Sequence, residues 1–110
     1  MKEIKDLNKK IYPMRKENPS LKEIRNKTRP VLEKYGVTKA EIFGSYARNE
    51  EETESDIDIL VEPKEGTTLA DMAQLKTELE EELGREVDIL TYDSVNPEIR
   101  DKIFAEAVEI

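Results

Sequence analysis

Residues 44–61 read GSYARNEEETESDIDILV. The stretch opens on Gly44-Ser45, passes through a run of acidic residues, and closes on Asp56-Ile57-Asp58-Ile59-Leu60-Val61. Side chains alternate along a strand, so Asp56, Asp58 and Leu60 share one face while Ile57, Ile59 and Val61 share the other. A strand this apolar belongs in a core. Burying carboxylates there is costly unless something positive lies between them. The pattern therefore predicts both a core strand and a cation near its start.

Upstream, Lys39 to Phe43 (KAEIF) reads as a first strand ending at Gly44. Downstream, a loop at EGTT leads into a helix from Leu69 to Leu83, with Met72, Leu75, Leu79 and Leu83 inward and Gly84 as its stop. EVDILTY, residues 86–92, reads as a third strand, with Val87 and Ile89 on one face and Asp88 and Leu90 on the other. Asn96 caps a last helix with Pro97 at its first position, and Ile99, Ile103 and Ala107 form its buried side. Ahead of the first strand, Ser20 and Glu23 make a capping box for a helix whose apolar side is Leu21, Ile24, Val31, Leu32 and Tyr35. Pro30 predicts a kink there, or two helices meeting near Thr28, and Gly36 is the stop. Ile4, Leu7, Ile11 and Met14 recur at helical spacing, giving a short helix over residues 2–12 stopped by Pro13. The expected fold class is α/β (α+β): a mixed three-stranded sheet packed with helices. Residues 1–19 form an N-terminal amphipathic helical extension and residues 20–110 a single small domain.

The 110 residues suit one modest core. No leader peptide or membrane-length apolar run is apparent, so the expectation is a cytoplasmic protein with no membrane partner. The absence of Cys and His excludes disulfides, thiolate chemistry, His- or Cys-built zinc sites and any Ser-His triad. A metal would need oxygen ligands, as Mg²⁺, Mn²⁺ and Ca²⁺ do. The Glu- and Lys-rich composition, with a single Gln, is that of hyperthermophile proteins. Residues 1–39 carry twelve Lys/Arg against five Asp/Glu, whereas residues 40–110 carry six against twenty-one; +7 and −15 give the net −8. An acidic surface of this kind repels nucleic acid, so direct nucleic-acid binding is not expected. The basic third reads as a solvated helix face.

Asp56 and Asp58 repel when close, and a divalent cation between them removes the conflict. Asp88 sits in another apolar strand, followed by the same Ile-Leu pair. If the two strands are neighbours, three carboxylates meet, and with phosphate oxygens and water they suit one or two Mg²⁺ ions. Two such ions about 3.5–4 Å apart stabilise the entering and leaving oxygens of a phosphoryl displacement. Gly44 lets backbone approach a ligand closely, and Ser45 would open a short helix whose free N–H groups hold phosphate. Arg48, one turn on, is placed to reach the same anion or a nearby carboxylate. Tyr46 and Tyr92 read as packing residues.

GSYAR, then seven residues, then DIDILV, with a later VDIL, resembles the signature of the DNA polymerase β-like nucleotidyltransferases. Within them it is similar to the minimal nucleotidyltransferases, the MntA-type antitoxins encoded beside HEPN-domain toxins. The resemblance spans residues 20 to 108. It implies a phosphate-binding loop at Gly44 and Ser45 and metal ligands at Asp56, Asp58 and Asp88. It further implies Mg²⁺-dependent transfer of a nucleoside monophosphate, AMP from ATP, to a tyrosine of a HEPN ribonuclease toxin that is thereby silenced. The pattern often has Gly after the Arg; here Asn49 stands, and Asn tolerates left-handed backbone. The residues leave two other readings open: an antitoxin acting by contact alone, or transfer to a small molecule held by a subunit supplied in trans. A homo- or hetero-oligomer fits each of them. The acidic loop NEEETES either weakens nucleotide binding when metal is absent or steers a basic partner.

Overall fold

The computed structural model describes residues 18–52 and 55–110, so the helix expected over residues 2–12 lies outside the described residues. The Ser20 hydroxyl accepts the Glu23 N–H at 3.1 Å and opens α1, Leu21–Lys34. Pro30 lies inside this single helix, so two helices do not meet near Thr28. Pro30 removes only the bond to the Asn26 carbonyl, and both residues are on the exposed side, where water replaces the donor. Buried Thr28 turns its hydroxyl back onto the Ile24 carbonyl at 2.7 Å. Gly36, at φ +70°, ends the turn that follows.

Strands β1 (Lys39–Phe43) and β2 (Ile57–Glu62) pair antiparallel. Helix α2 (Leu69–Leu83) follows, opened by a capping box between Thr68 and Asp71 and closed by Gly84 at φ +65°. It carries the chain over to β3 (Val87–Thr91), which lies parallel to β2. A 3₁₀ turn at Tyr92–Ser94 leads to α3, Pro97–Glu106, capped by the Asn96 side chain at the Glu98 N–H, 2.9 Å. The sheet has four strands, not three: β4, Val108–Glu109, pairs antiparallel with β1 and gives the order β3-β2-β1-β4. Two residues carry no readable alternation, which is why the sequence pattern does not announce β4.

The core lies between one sheet face and helices α1 and α2. Ile24, Ile42, Ile57, Ile59, Val61, Leu79, Leu83 and Val87 are fully enclosed there. The expected inward set of α2 holds, with Met72 half-buried against this cluster. The expected inward set of α3 does not. Ile99 is 49% exposed, Ile103 and Ala107 are half-buried, and no residue of α3 is fully buried. This helix packs on the other side of the sheet, where Phe104 meets Tyr92 edge-on at 5.6 Å. The free edge at β3 is covered by α2: Glu80 accepts the Val87 N–H at 3.1 Å and Lys76 donates to the Val87 carbonyl at 2.6 Å. Among the described residues no helix is long and apolar enough to cross a membrane.

Candidate active site

Strands β2 and β3 run side by side in register, with Asp58 beside Asp88. Neighbouring strands lie about 4.8 Å apart and in-register side chains project to one side, so the two carboxyl groups face each other. On the other flank β1 places Phe43 beside Asp58. A row Phe43–Asp58–Asp88 thus crosses three strands, and the chain turns at Gly44 directly after its first member. Asp56 stands just ahead of β2 and is exposed. The fold brings Asp58 and Asp88 together and leaves Asp56 at the margin.

Gly44 has φ +73°, a conformation that side chains disfavour. A Cβ built there would overlap the Asp58 carboxylate at Oδ2. The Gly-Ser turn and the first strand carboxylate are therefore in direct contact. Beyond Gly44 the N–H groups of Arg48, Asn49 and Glu50 donate to the carbonyls of Gly44, Tyr46 and Ser45 at 3.1, 3.3 and 2.8 Å. These are successive turns rather than the short helix expected at Ser45, because Asn49 enters the left-handed region at φ +57° and stops propagation. Gly44 and Ser45 stand at the start of this run of turns, on the Asp58 side. Tyr46, 3% exposed, fixes the turn to the core, as its reading as a packing residue required. Tyr92 also packs, with its hydroxyl donating to Glu41 at 2.7 Å.

Electrostatics follow from this crowding. Burial first, then the charges of Asp88 and Asp56 and a hydrogen bond with Asp88, push the Asp58 carboxyl up to about 6; Arg48 opposes them weakly. Arg48 itself holds two other carboxylates, Glu50 at 2.6 Å and Glu106 at 3.2 Å. Glu106 arrives from the far end of α3, and no local pattern in the sequence points to it. Three carboxylates without nitrogen or sulfur partners form a donor set suited to a hard divalent cation. The raised Asp58 reflects burial first and then the neighbouring carboxylates, and a cation would offset both. Among the described residues these groups do not stand as a three-ligand cation site.

Residues 26–110 match the family model of polymerase beta nucleotidyltransferases. The chain belongs to that family. MJ0435 of Methanocaldococcus jannaschii, provisionally named a protein adenylyltransferase, is 56% identical over 91 residues, covering 83% of this chain and 98% of its own. The protein adenylyltransferase MntA of Thermococcus cleftensis is 36% identical over 78 residues, 71% of this chain and 79% of its own. A solved structure provisionally described as a minimal nucleotidyltransferase superposes with a TM-score of 0.72 at 36% identity, covering 84% of this chain and 97% of that one. A toxin–antitoxin crystal structure with AMP-PNP shares the fold at TM-score 0.67 and 22% identity, covering 77% of this chain and 70% of that one. Within its family the chain is a minimal nucleotidyltransferase, and the Asp58–Asp88 row is its candidate catalytic centre.

Proposed function

We propose that this chain transfers AMP from ATP to a tyrosine hydroxyl of a HEPN-domain ribonuclease toxin, in the presence of Mg²⁺, and so acts as its antitoxin. The observation that carries the catalytic part is Asp58 set beside Asp88, with the Gly44 turn pressed against Asp58. The names of the relatives, protein adenylyltransferase and MntA, support a protein acceptor. The toxin–antitoxin neighbour, which shares the fold, supports a toxin as that protein.

In this reading Asp56, Asp58 and Asp88 are the residues that would hold the divalent ions. Bound there, the ions supply charge neutralisation for the triphosphate and a lower pKa for the acceptor hydroxyl. Gly44, Ser45 and the N–H groups of their turn hold the terminal phosphates, with Arg48 at the rim. The acceptor oxygen bonds to the α-phosphorus, and the bond from that phosphorus to the β-phosphate oxygen breaks. Pyrophosphate leaves. The hydroxyl proton passes to Asp88 and then to solvent.

The test is incubation with labelled ATP, Mg²⁺ and the product of the adjacent gene. Label appears on that protein and disappears with Asp56→Ala or Asp58→Ala. Neutralisation that survives both substitutions without labelling sinks the proposal in favour of an antitoxin acting by contact. Label accumulating on a small molecule favours transfer in trans.

A further inference from the structure

Arg85 lies between α2 and β3 with 2% of its surface exposed. A guanidinium so enclosed is tolerated only through its hydrogen bonds. One nitrogen, Nη1, donates to the Gly84 carbonyl at 3.1 Å, at the C-terminal end of α2 where a cation is favoured. The other, Nη2, donates to the side-chain oxygen of Asn18 at 3.0 Å. The amide nitrogen of Asn18 donates in turn to the Glu52 carbonyl at 2.8 Å. That same carbonyl accepts the Ser55 N–H at 3.1 Å, and the Glu52 N–H donates to the Ser55 hydroxyl at 2.7 Å. Ser55 immediately precedes Asp56, and Arg85 stands three positions before Asp88. At the other end of the loop the Glu50 N–H is held by the Ser45 carbonyl at 2.8 Å.

We infer that Asn18 is a positioning residue. Held by buried Arg85, just ahead of β3, it ties Glu52 and through it Ser55, at the approach to Asp56, to the segment that leads into Asp88. The clamp sets the spacing between the phosphate turn and the three carboxylates. Only a side chain that accepts on one side and donates on the other can form this relay, and a carboxamide does both. Asn18 falls in the segment that the sequence reads as an extension, so part of that segment belongs to the working domain. The inference rests on the nucleotidyl-transfer reading for its catalytic consequence, but not for the clamp itself.

Asn18→Asp separates the two bonds: it still accepts from Arg85 and no longer donates to Glu52. Expected are an unchanged melting temperature and faster solvent exchange of the Ser55 amide by NMR. A fall in kcat for labelled transfer of about tenfold or more is also expected, as small displacements of reacting groups produce. Asn18→Ala gives the same exchange and kcat with some loss of melting temperature. Ser55 exchange unchanged in both variants overturns the clamp. Faster exchange with an unchanged kcat, or a kcat that follows only the melting temperature, overturns the positioning role. Should the wild-type chain transfer no label to any acceptor, the function proposed above fails, and the exchange measurement still decides the clamp.

Discussion

At Gly44 the backbone stands at φ +73° and a methyl group would intrude on the Asp58 carboxylate. Gly44→Ala is therefore expected to cost about 1–3 kcal/mol through backbone strain alone, read as a lower urea midpoint. Transfer should fall further than stability, because relief of the overlap moves Asp58. Asp58 offers a second measurement. Its carboxyl rises from 3.8 to about 6 on folding, so the folded chain binds that proton more tightly than the unfolded chain. The contribution is complete below about pH 4 and lost as pH rises through about 6. Metal-free protein should lose stability across that window in urea titrations, and Asp58→Asn should flatten this part of the profile. A slope unchanged in Asp58→Asn would assign the proton elsewhere. The pairing of Asp58 with Asp88 was legible because both stand in short apolar strands, and the turn at Gly44 because a glycine follows a strand; Asp56 falls just ahead of β2, outside the alternation. The partners of Arg48 were not, since Glu106 reaches it only through the tertiary path of α3.

Among the elements, β3 is held at its outer edge by a helix. It is an edge strand, and the side chains of Glu80 and Lys76 on α2 take up both backbone groups of Val87. Glu80→Ala should leave that N–H without its acceptor and cost about 1–3 kcal/mol in chemical denaturation. Glu80→Gln, which still accepts, should cost less; equal losses would place the effect in the Lys76 ion pair instead. The longer elements were readable from apolar period: KAEIF, most of DIDILV and most of EVDILTY as strands, and α2 from Leu69 to Leu83 with Gly84 as its stop. β4 was not, and α3 was legible as a helix from its Asn96 cap and Pro97 while its expected buried side was not borne out. β4 exists only because β1 offers it a pairing edge, and α3 keeps its helix while leaving Ile99 in solvent, since its caps rather than burial define it. Pro30 misled for a related reason: its lost bond falls on the wet side of α1.

Across the molecule, net charge is distributed unevenly, with the acidic excess confined to residues 40–110. The visible ion pairs, such as Lys34 with Glu78 at 2.8 Å, are largely exposed and individually weak. Repulsion among the unpaired carboxylates should therefore dominate. Raising NaCl from about 0.01 M to about 0.3 M should raise the urea midpoint, because screening shortens the reach of that repulsion. A falling midpoint would mean that the ion pairs carry more than the repulsion removes. One further consequence follows from the parallel pairing of β2 and β3, which obliges α2 to intervene between their aspartates. During synthesis the ribosome releases the glycine turn and the first aspartates well before the last. A chain ending within α2 lacks the strand that sets Asp88 beside Asp58. The pairing that sets Asp58 beside Asp88 can therefore form only after translation has passed β3.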